Sequence, residues 1–475
     1  GGKSLTRRWK RLKSHDCNMA DNPPRVRKLP EAEHERYADL RQKFKDRYGH
    51  DPVFYARSPG RVNLIGEHID YCGYAVLPMA VEQDIVFAVS NNAENNIILA
   101  NTDPAFEEMS CKAADVSIDK SDRRWHNYAL CGIKGVMEHA GQTSAKGFNA
   151  LVVGRIPKSA GLSSSSALVC CAALAMAHVN GWKFTMRELS ELTAKCERYI
   201  GTEGGGMDQA ISLMAQHGMA KLIEFNPLRT TDVHLPSGAA FVVSNSLAEH
   251  NKAATSDFNT RVIECRIATQ IMAKSKGLPW REIRRLGDLQ IELGASLQNM
   301  QKMVLEELHT EPYSKEEVCK ILEVTSEELA ETSLSENTLE VCEFKLQDRA
   351  RHVYSEASRV LQFKEMCDNP PLDALKQLGR LMDESHSSCR DLYQCSHPEV
   401  DTLVHVCKEA GGVGSRMTGA GWGGCTVSLV EANSVMSLLT KVRDSYYAPN
   451  PAKASRVKEA LFATQPGHGA MIYED

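Results

Sequence analysis

The sequence predicts an α+β protein of two domains, and three observations carry that prediction. The chain has 475 residues, more than one compact core ordinarily serves. Strand-like runs rich in Val, Ile and Phe alternate with helical runs through the first half, whereas the second half reads as mostly helical up to Met417. Between them, Leu235-Pro-Ser-Gly238 breaks both patterns and marks a boundary. The expected division is an extension over residues 1–30, taken to be disordered, an N-terminal domain over 31–236 and a C-terminal domain over 237–475.

A polar helix is predicted from Ala32 to Tyr48, then a strand over Val53–Arg57 ended by Ser58-Pro59-Gly60. Ala75–Ser90 reads as one or two strands, Trp125–His139 has helical apolar spacing, and Gly147–Ile156 reads as a strand that Pro157-Lys-Ser-Ala-Gly161 breaks. A helix begins near Ser164. Ala167–Ala177 is apolar on nearly every face, so this helix should lie buried between layers. Thr185–Tyr199 is an amphipathic helix, and Lys221–Phe225 and Phe241–Asn245 are short strands. Further on, Glu316–Glu331 and Leu346–Met366 read as charged helices with one apolar face. Val427–Val430 is a strand, Ser434–Tyr447 a helix and Ala470–Tyr473 a last strand.

Composition excludes several classes. The chain is 42% hydrophobic and 25% charged with a net charge of −5, which is ordinary for a globular protein and lacks the basic stripe of one that coats nucleic acid. An anionic ligand remains open to it, because backbone amides and a few side chains bind phosphate locally. No run approaches the roughly 20 apolar residues of a membrane helix. Fifteen cysteines occur without a C-x-x-C pair, and an odd number cannot be fully paired within one chain, so reduced thiols in the cytoplasm are expected. In the first 18 residues Lys3, Arg7, Arg8, Lys10, Arg11 and Lys13 face one acid, Asp16. A dispensable extension ahead of Met19 is favoured there over a targeting peptide.

Three separated segments carry chemistry. Gly161-Leu-Ser-Ser-Ser-Ser-Ala167 links a strand to a buried helix; small residues let backbone approach a phosphate, and helix N-terminal amides point at it. The plain alternative is a solvated serine turn that caps the helix. Arg61, Asn63, Glu67, His68 and Asp70 fall within ten residues among apolar neighbours, a density of hydrogen-bonding groups suited to a polyhydroxylated ligand rather than to a surface loop of charge pairs. His68 alone is more often a structural hydrogen-bonder than a catalyst. Asp208 follows Gly204-Gly205-Gly206-Met207; it is either a helix cap or the group that accepts a proton from a substrate hydroxyl. Thr418-Gly-Ala-Gly-Trp-Gly-Gly424 contains G-x-G-x-x-G, but a helix (Val400–Glu409) precedes it and a strand follows, the wrong order for a dinucleotide fold. No Walker-type G-x-x-x-x-G-K-[ST] is present.

With these residues in view, the chain resembles the galactokinase family of the GHMP small-molecule kinases. Gly60–Tyr71 is similar to the galactokinase signature, Gly161–Ala167 to the family's phosphate loop and Met417–Gly424 to its third motif, over a span from about Val53 to the C-terminus. Tyr71-Cys-Gly-Tyr74 stands where galactokinases usually carry Tyr-Asn-Gly-Gly. Together with Ile200–Asp208 and Asn251-Lys-Ala-Ala-Thr255, it resembles the branch that acts on N-acetylgalactosamine.

The resemblance implies a two-domain GHMP kinase fold, ribosomal-protein-S5-domain-2-like at the N-terminus and ferredoxin-like with added helices at the C-terminus, with the active site in the interdomain cleft. It implies a cytoplasmic monomer that uses ATP and Mg2+ to phosphorylate the anomeric (C1) hydroxyl of N-acetylgalactosamine, and galactose more weakly. Asp208 would be the base and Arg61 its charged neighbour. Glu67, His68 and Asp70 would hold sugar hydroxyls. Gly161, Ser163, Ser164 and Ser165 would line the phosphates, Ser165 with Glu197 would hold Mg2+, and Asn251 and Lys252 would approach the nucleotide. Phe258 falls where galactokinases often have a Tyr near the sugar, which would suit an N-acetyl group. Two alternatives stand beside this: a galactose-preferring kinase, and a non-catalytic sugar and ATP sensor. The complete Ser163-Ser-Ser-Ser-Ala-Leu168 favours an enzyme over the sensor.

Overall fold

A computed structural model describes residues 19–474 except 123, 142–144, 203 and 249–254. Its larger sheet has seven strands in the order Arg25–Lys28, Met471–Glu474, Phe54–Ile65, Leu77–Asn92, Gly147–Gly154, Asn96–Asn101, Met109–Lys112. The first two are parallel, as are 96–101 and 147–154; the other neighbours are antiparallel. Side chains alternate across these strands as the pleat requires. Tyr55, Val86, Ala88 and Leu151 pack on Tyr37, Leu40 and Phe44 of helix His34–Tyr48. Phe54, Ala56, Phe87 and Val89 face the opposite side, toward helix Ser164–Asn180. That helix is buried on nearly every face, as its composition requires, because helix Trp125–His139 covers it from outside.

A second sheet of four antiparallel strands runs Gly414–Met417, Cys425–Glu431, Ala239–Asn245, Leu461–Thr464. Leu403 and Cys407 of helix Pro398–Glu409 and Leu438 of helix Val435–Val442 pack on its Ala240, Val242 and Val430. Helices Asp257–Ser275, Leu346–Asp368 and Ala374–Ser388 bridge the two sheets through a shared apolar core. No helix among the described residues is long and apolar enough to cross a membrane.

Several expectations need correction. Pro59 and Gly60 do not end the first strand; it continues to Ile65, and the ladder shifts register between Pro59 and Arg61. A bulge is where a sheet tolerates Pro, since the missing N–H falls outside the ladder. The signature segment therefore starts on a fully buried strand instead of a loop. Ala75–Ser90, expected as one or two strands, needs none: it is one strand of 16 residues, Leu77–Asn92. The Glu316–Glu331 helix is two, Lys315–Leu322 and Ser326–Ser333, because Glu323 turns left-handed (φ 57°) and Thr325 caps the second in a reciprocal box with Glu328. Glycine-rich Thr418–Gly424 is preceded by a strand, not a helix, and joins Gly414–Met417 to Cys425–Glu431 as a hairpin turn.

The division into domains also changes. Residues 1–18 lie outside the described residues, but Arg25–Lys28 of the expected disordered extension is an edge strand. Met471–Glu474, assigned to the second domain, sits inside the first sheet between Arg25–Lys28 and Phe54–Ile65. Its alternating Met471 and Tyr473 cover the 34–48 helix, which fixes its place.

Candidate functional site

The three motif segments interlock backbone to backbone. The Arg61 amide donates to the Leu162 carbonyl at 3.1 Å, and the Cys425 amide donates to that of Ala160 at 2.9 Å. A Cβ on Gly419 would stand 2.3 Å from the Gly161 oxygen, so only glycine permits the turn to approach the phosphate loop this closely. Together they wall a cleft of about 420 Å3.

Asp208 is the second residue of helix Met207–Met214 and Gly206 takes the cap position, so the carboxylate is not spent on capping. Arg61 donates from Nε to its Oδ1 at 2.8 Å and from Nη1 to the Gly161 oxygen at 2.5 Å. The Arg61 side chain is 4% exposed and that of Asp208 19%, so the guanidinium lies behind and the carboxylate reaches into the cleft. Asp70 lies alongside: its Oδ2 accepts from the Met207 amide at 3.4 Å, and a Cβ on Gly205 would collide with its carboxylate at 2.4 Å.

Ser163 adopts a left-handed conformation (φ 60°) ahead of the 164–180 helix, whose end no side chain caps. The first helical amides therefore lack intrahelical acceptors and face the cleft with the positive end of the macrodipole. Ser163 Oγ is buried without a hydrogen-bond partner, a vacancy that a phosphate oxygen fits. Gly161, Ser163, Ser164, Ser165 and Glu197 all line the cleft. The serine bonded to Glu197, however, is Ser166, whose Oγ donates to Oε1 at 2.5 Å. Ser165 and Glu197 supply hard oxygen donors, the set Mg2+ takes together with phosphate oxygens.

Glu67 and His68 line the cleft, but their polar atoms are largely committed elsewhere. Glu67 Oε2 accepts from Arg416 Nη2 at 3.0 Å and from the Gly419 amide at 3.1 Å, and Arg416 also holds the Asn63 carbonyl. Glu67 thus fastens the signature segment to the glycine turn, a role beyond the expected sugar contact. His68 Nε2 lies 2.8 Å from the Ala420 carbonyl, which can only accept, so Nε2 carries the proton. Nδ1 then accepts from Tyr71 Oη at 2.7 Å, and Tyr71 Oη in turn meets Tyr393 Oη at 2.7 Å. The chain closes on the Cys265 thiol, 3.2 Å from Tyr393 Oη. His68 is therefore a hydrogen-bonded wall of the cleft. Phe258 packs its ring 5.4 Å from both His68 and Tyr71.

Some participants were not legible. Glu356, wholly buried in the 346–368 helix, accepts from the Gly66 and Glu67 amides at 2.9 and 3.1 Å, while His352 Nε2 donates to the Glu67 carbonyl at 3.0 Å. From its sequence that helix is a charged one with a single apolar face, and nothing local marks these two residues. At the far end, Phe106, Trp125 and Tyr128 line the cleft with Lys158. The Phe106 and Trp125 rings stand 5.8 Å apart edge to face, and Lys158 Nζ lies 3.8 Å over Phe106 and 3.0 Å from Asp103. A Trp opening a helix was the only signal there. Asn251 and Lys252 lie outside the described residues.

Comparison with known proteins bears on all of this. Residues 42–91 match the galactokinase galactose-binding signature, 127–216 the GHMP kinases N terminal domain and 371–465 the GHMP kinases C terminal domain. The chain is 42% identical to the galactokinase of Dictyostelium discoideum, covering 92% of this chain and 94% of that one. It is 32% identical to that of Saccharomyces cerevisiae, covering 94% and 97%. Among solved structures, Lactococcus lactis galactokinase complexed with galactose superposes with a TM-score of 0.69 at 25% identity, over 92% of this chain and 99% of that one. Methanococcus jannaschii mevalonate kinase shares the fold, with a TM-score of 0.54 at 17% identity over 87% and 98%.

Proposed function

We propose, because this chain belongs to the galactokinase family of the GHMP kinases, that the sugar it prefers to phosphorylate is N-acetylgalactosamine. The coarser activity is that of the family: a sugar 1-kinase that uses ATP with Mg2+. The observation that carries the finer reading is Phe258. Its ring lies beside His68 and Tyr71 at the sugar end of the cleft and presents no hydroxyl. An apolar ring there suits the methyl of an acetamido group, whose burial is worth about 0.8 kcal/mol.

In this reading the C1 hydroxyl of the sugar lies against Asp208. Its oxygen attacks the γ-phosphorus of ATP, its proton passes to the Asp208 carboxylate, and the bond to the departing ADP breaks. Arg61 holds that carboxylate in position and balances negative charge beside the phosphates. The 164–180 helix amides and the unpartnered Ser163 hydroxyl receive phosphate oxygens. Ser165 and Glu197 would hold Mg2+, which neutralises charge on the phosphates. The Phe106 and Trp125 rings give that end of the cleft an apolar wall for a planar base. Asp70 contributes a hydroxyl acceptor, and Glu67 and His68 shape the pocket from behind.

A galactose-preferring enzyme is the second reading, favoured by the relatives that are galactokinases. ADP release measured with each sugar separates them: N-acetylgalactosamine is expected to give the higher kcat/KM. A higher value for galactose overturns the substrate reading and leaves the family assignment intact. Sugar binding with no ADP from either sugar would identify a sensor.

A further inference from the structure

Gln209 and Ser166 form a short chain of hydrogen bonds that ends on Glu197. Gln209 donates from Nε2 to Ser166 Oγ at 3.3 Å, and Ser166 Oγ donates to Glu197 Oε1 at 2.5 Å. All three are buried: Ser166 and Gln209 are each 2% exposed and Glu197 is 6% exposed. A hydroxyl has one proton to give, so a donor placed against its oxygen settles where that proton points. Gln209 is that donor, and the Ser166 proton is turned onto the carboxylate.

Helix geometry brings the three together. Neighbouring residues of an α-helix point about 100° apart. Ser165 lines the cleft, and Ser166, next to it in helix 164–180, is carried round to the buried side, where it meets Glu197 at the start of the turn Glu197–Ile200. The same rotation separates Asp208 from Gln209 on helix Met207–Met214. Asp208 meets Arg61 beside the phosphate loop, whereas Gln209 meets Ser166. One short helix thus holds the proposed base and, through a single hydroxyl, also reaches Glu197. The second carboxylate oxygen, Oε2, lies on the side of Gly204, where a Cβ would stand 3.5 Å away, and Gly204 is part of the cleft wall. A carboxylate tied back at one oxygen presents the other in a fixed direction, which is how hydrogen-bonded neighbours orient the carboxylates that ligate metals.

We infer that Ser166 and Gln209 are positioning residues for the metal end of the cleft: they hold Glu197 in the orientation that receives Mg2+ and tie that orientation to the helix bearing Asp208. The inference rests on the reading of Glu197 as a Mg2+ ligand and is independent of which sugar the cleft prefers. Ser166 acts through Glu197, and Gln209 acts through Ser166. Loss of the hydroxyl releases the carboxylate to rotate, so the effect falls on metal affinity and on the KM for ATP, with sugar affinity unchanged.

The test measures Mn2+ binding to the whole chain, by electron paramagnetic resonance in the presence of a non-hydrolysable ATP analogue, for Ser166→Ala, Gln209→Met, the double variant and Glu197→Gln. Ser166→Ala is expected to weaken Mn2+ about tenfold or more, and Gln209→Met about fivefold, the loss of one hydrogen bond. The double variant should be no weaker than Ser166→Ala alone, because Gln209 has no route to the metal once the hydroxyl is gone. Sugar affinity by calorimetry should stay that of the unmodified chain in all of them. If Ser166→Ala does not fold, Gln209→Met carries the same measurement. Unchanged Mn2+ affinity in the variant measured overturns the inference, as does an equal loss of sugar affinity, which would mark general damage to the cleft. Additive losses in the double variant overturn the relay from Gln209. Glu197→Gln separates the two readings: if it weakens Mn2+ and Ser166→Ala does not, the inference alone falls, and if Glu197→Gln leaves Mn2+ unchanged, the metal assignment of Glu197 falls and the inference with it.

Discussion

Arg61 holds Asp208 from behind: Nε donates to the carboxylate at 2.8 Å while Nη1 is fixed to the Gly161 carbonyl. One planar guanidinium therefore sets the distance between the proposed base and the phosphate loop. Asp208→Asn, which keeps the shape and removes the proton acceptor, is expected to lower kcat about 10²–10⁴-fold with little change in sugar affinity. Lys in place of Arg61 cannot make both bonds. Its kcat is expected to fall as well, and steady-state assays paired with sugar titration check both. Near-normal turnover in Asp208→Asn would remove Asp208 from the mechanism.

The chain from Cys265 through Tyr393 and Tyr71 ends on His68 Nδ1. Tyr71→Phe leaves Nδ1 without its donor, a loss of about 1 kcal/mol. The expected result is a sugar KM raised about fivefold with the KM for ATP unchanged. Nitrogen NMR of the histidine rings should show His68 keeping the Nε2–H form, held by the Ala420 carbonyl, with its Nδ1 resonance shifted by the loss of the Tyr71 partner. An unaltered Nδ1 resonance in the variant would sink this account.

Glu356 gives the fold a pH dependence. Burial alone would raise its carboxyl, but Arg359, His352 and Arg416, with the Ser385 hydroxyl bond, bring it down to about 2 from the 4.5 of the free group. Its folded pKa is depressed, so its stabilisation is fully present above 4.5 and is lost as pH falls toward 2. Urea midpoints of Glu356→Gln should lie below those of the unmodified chain at neutral pH and converge on them across that window. Parallel curves would contradict the assignment.

Phe258 tests specificity directly. Restoring a hydroxyl with Phe258→Tyr is expected to shift the kcat/KM ratio toward galactose by about fourfold, the equivalent of one buried methyl at 0.8 kcal/mol. An unchanged ratio in the two-sugar assay would place selectivity elsewhere.

The short motifs were legible because their chemistry is local: glycines and serines in sequence announce close backbone approach, and Asp208 stands directly behind such a run. Pro59 misled because strand breaking is also a local rule, and it yields where a long partner strand, Leu77–Asn92, supplies the ladder on either side. Glu67 shows the deeper limit. A carboxylate suits a sugar hydroxyl and a guanidinium equally, and only the arrival of Arg416 in space decides between them. Glu356, nearly three hundred residues from the segment it holds, leaves no sequence trace of that duty.

Because Arg57 pairs with Met471, the strand that delivers Arg61 gains this neighbour only when Met471–Tyr473 have been synthesised. During translation that edge stands open, ready to zip onto the wrong partner. Completing that sheet thus requires long-range closure, which slows folding. Removing Met471–Glu474 should damage catalysis from a distance by unfastening the sheet beneath it.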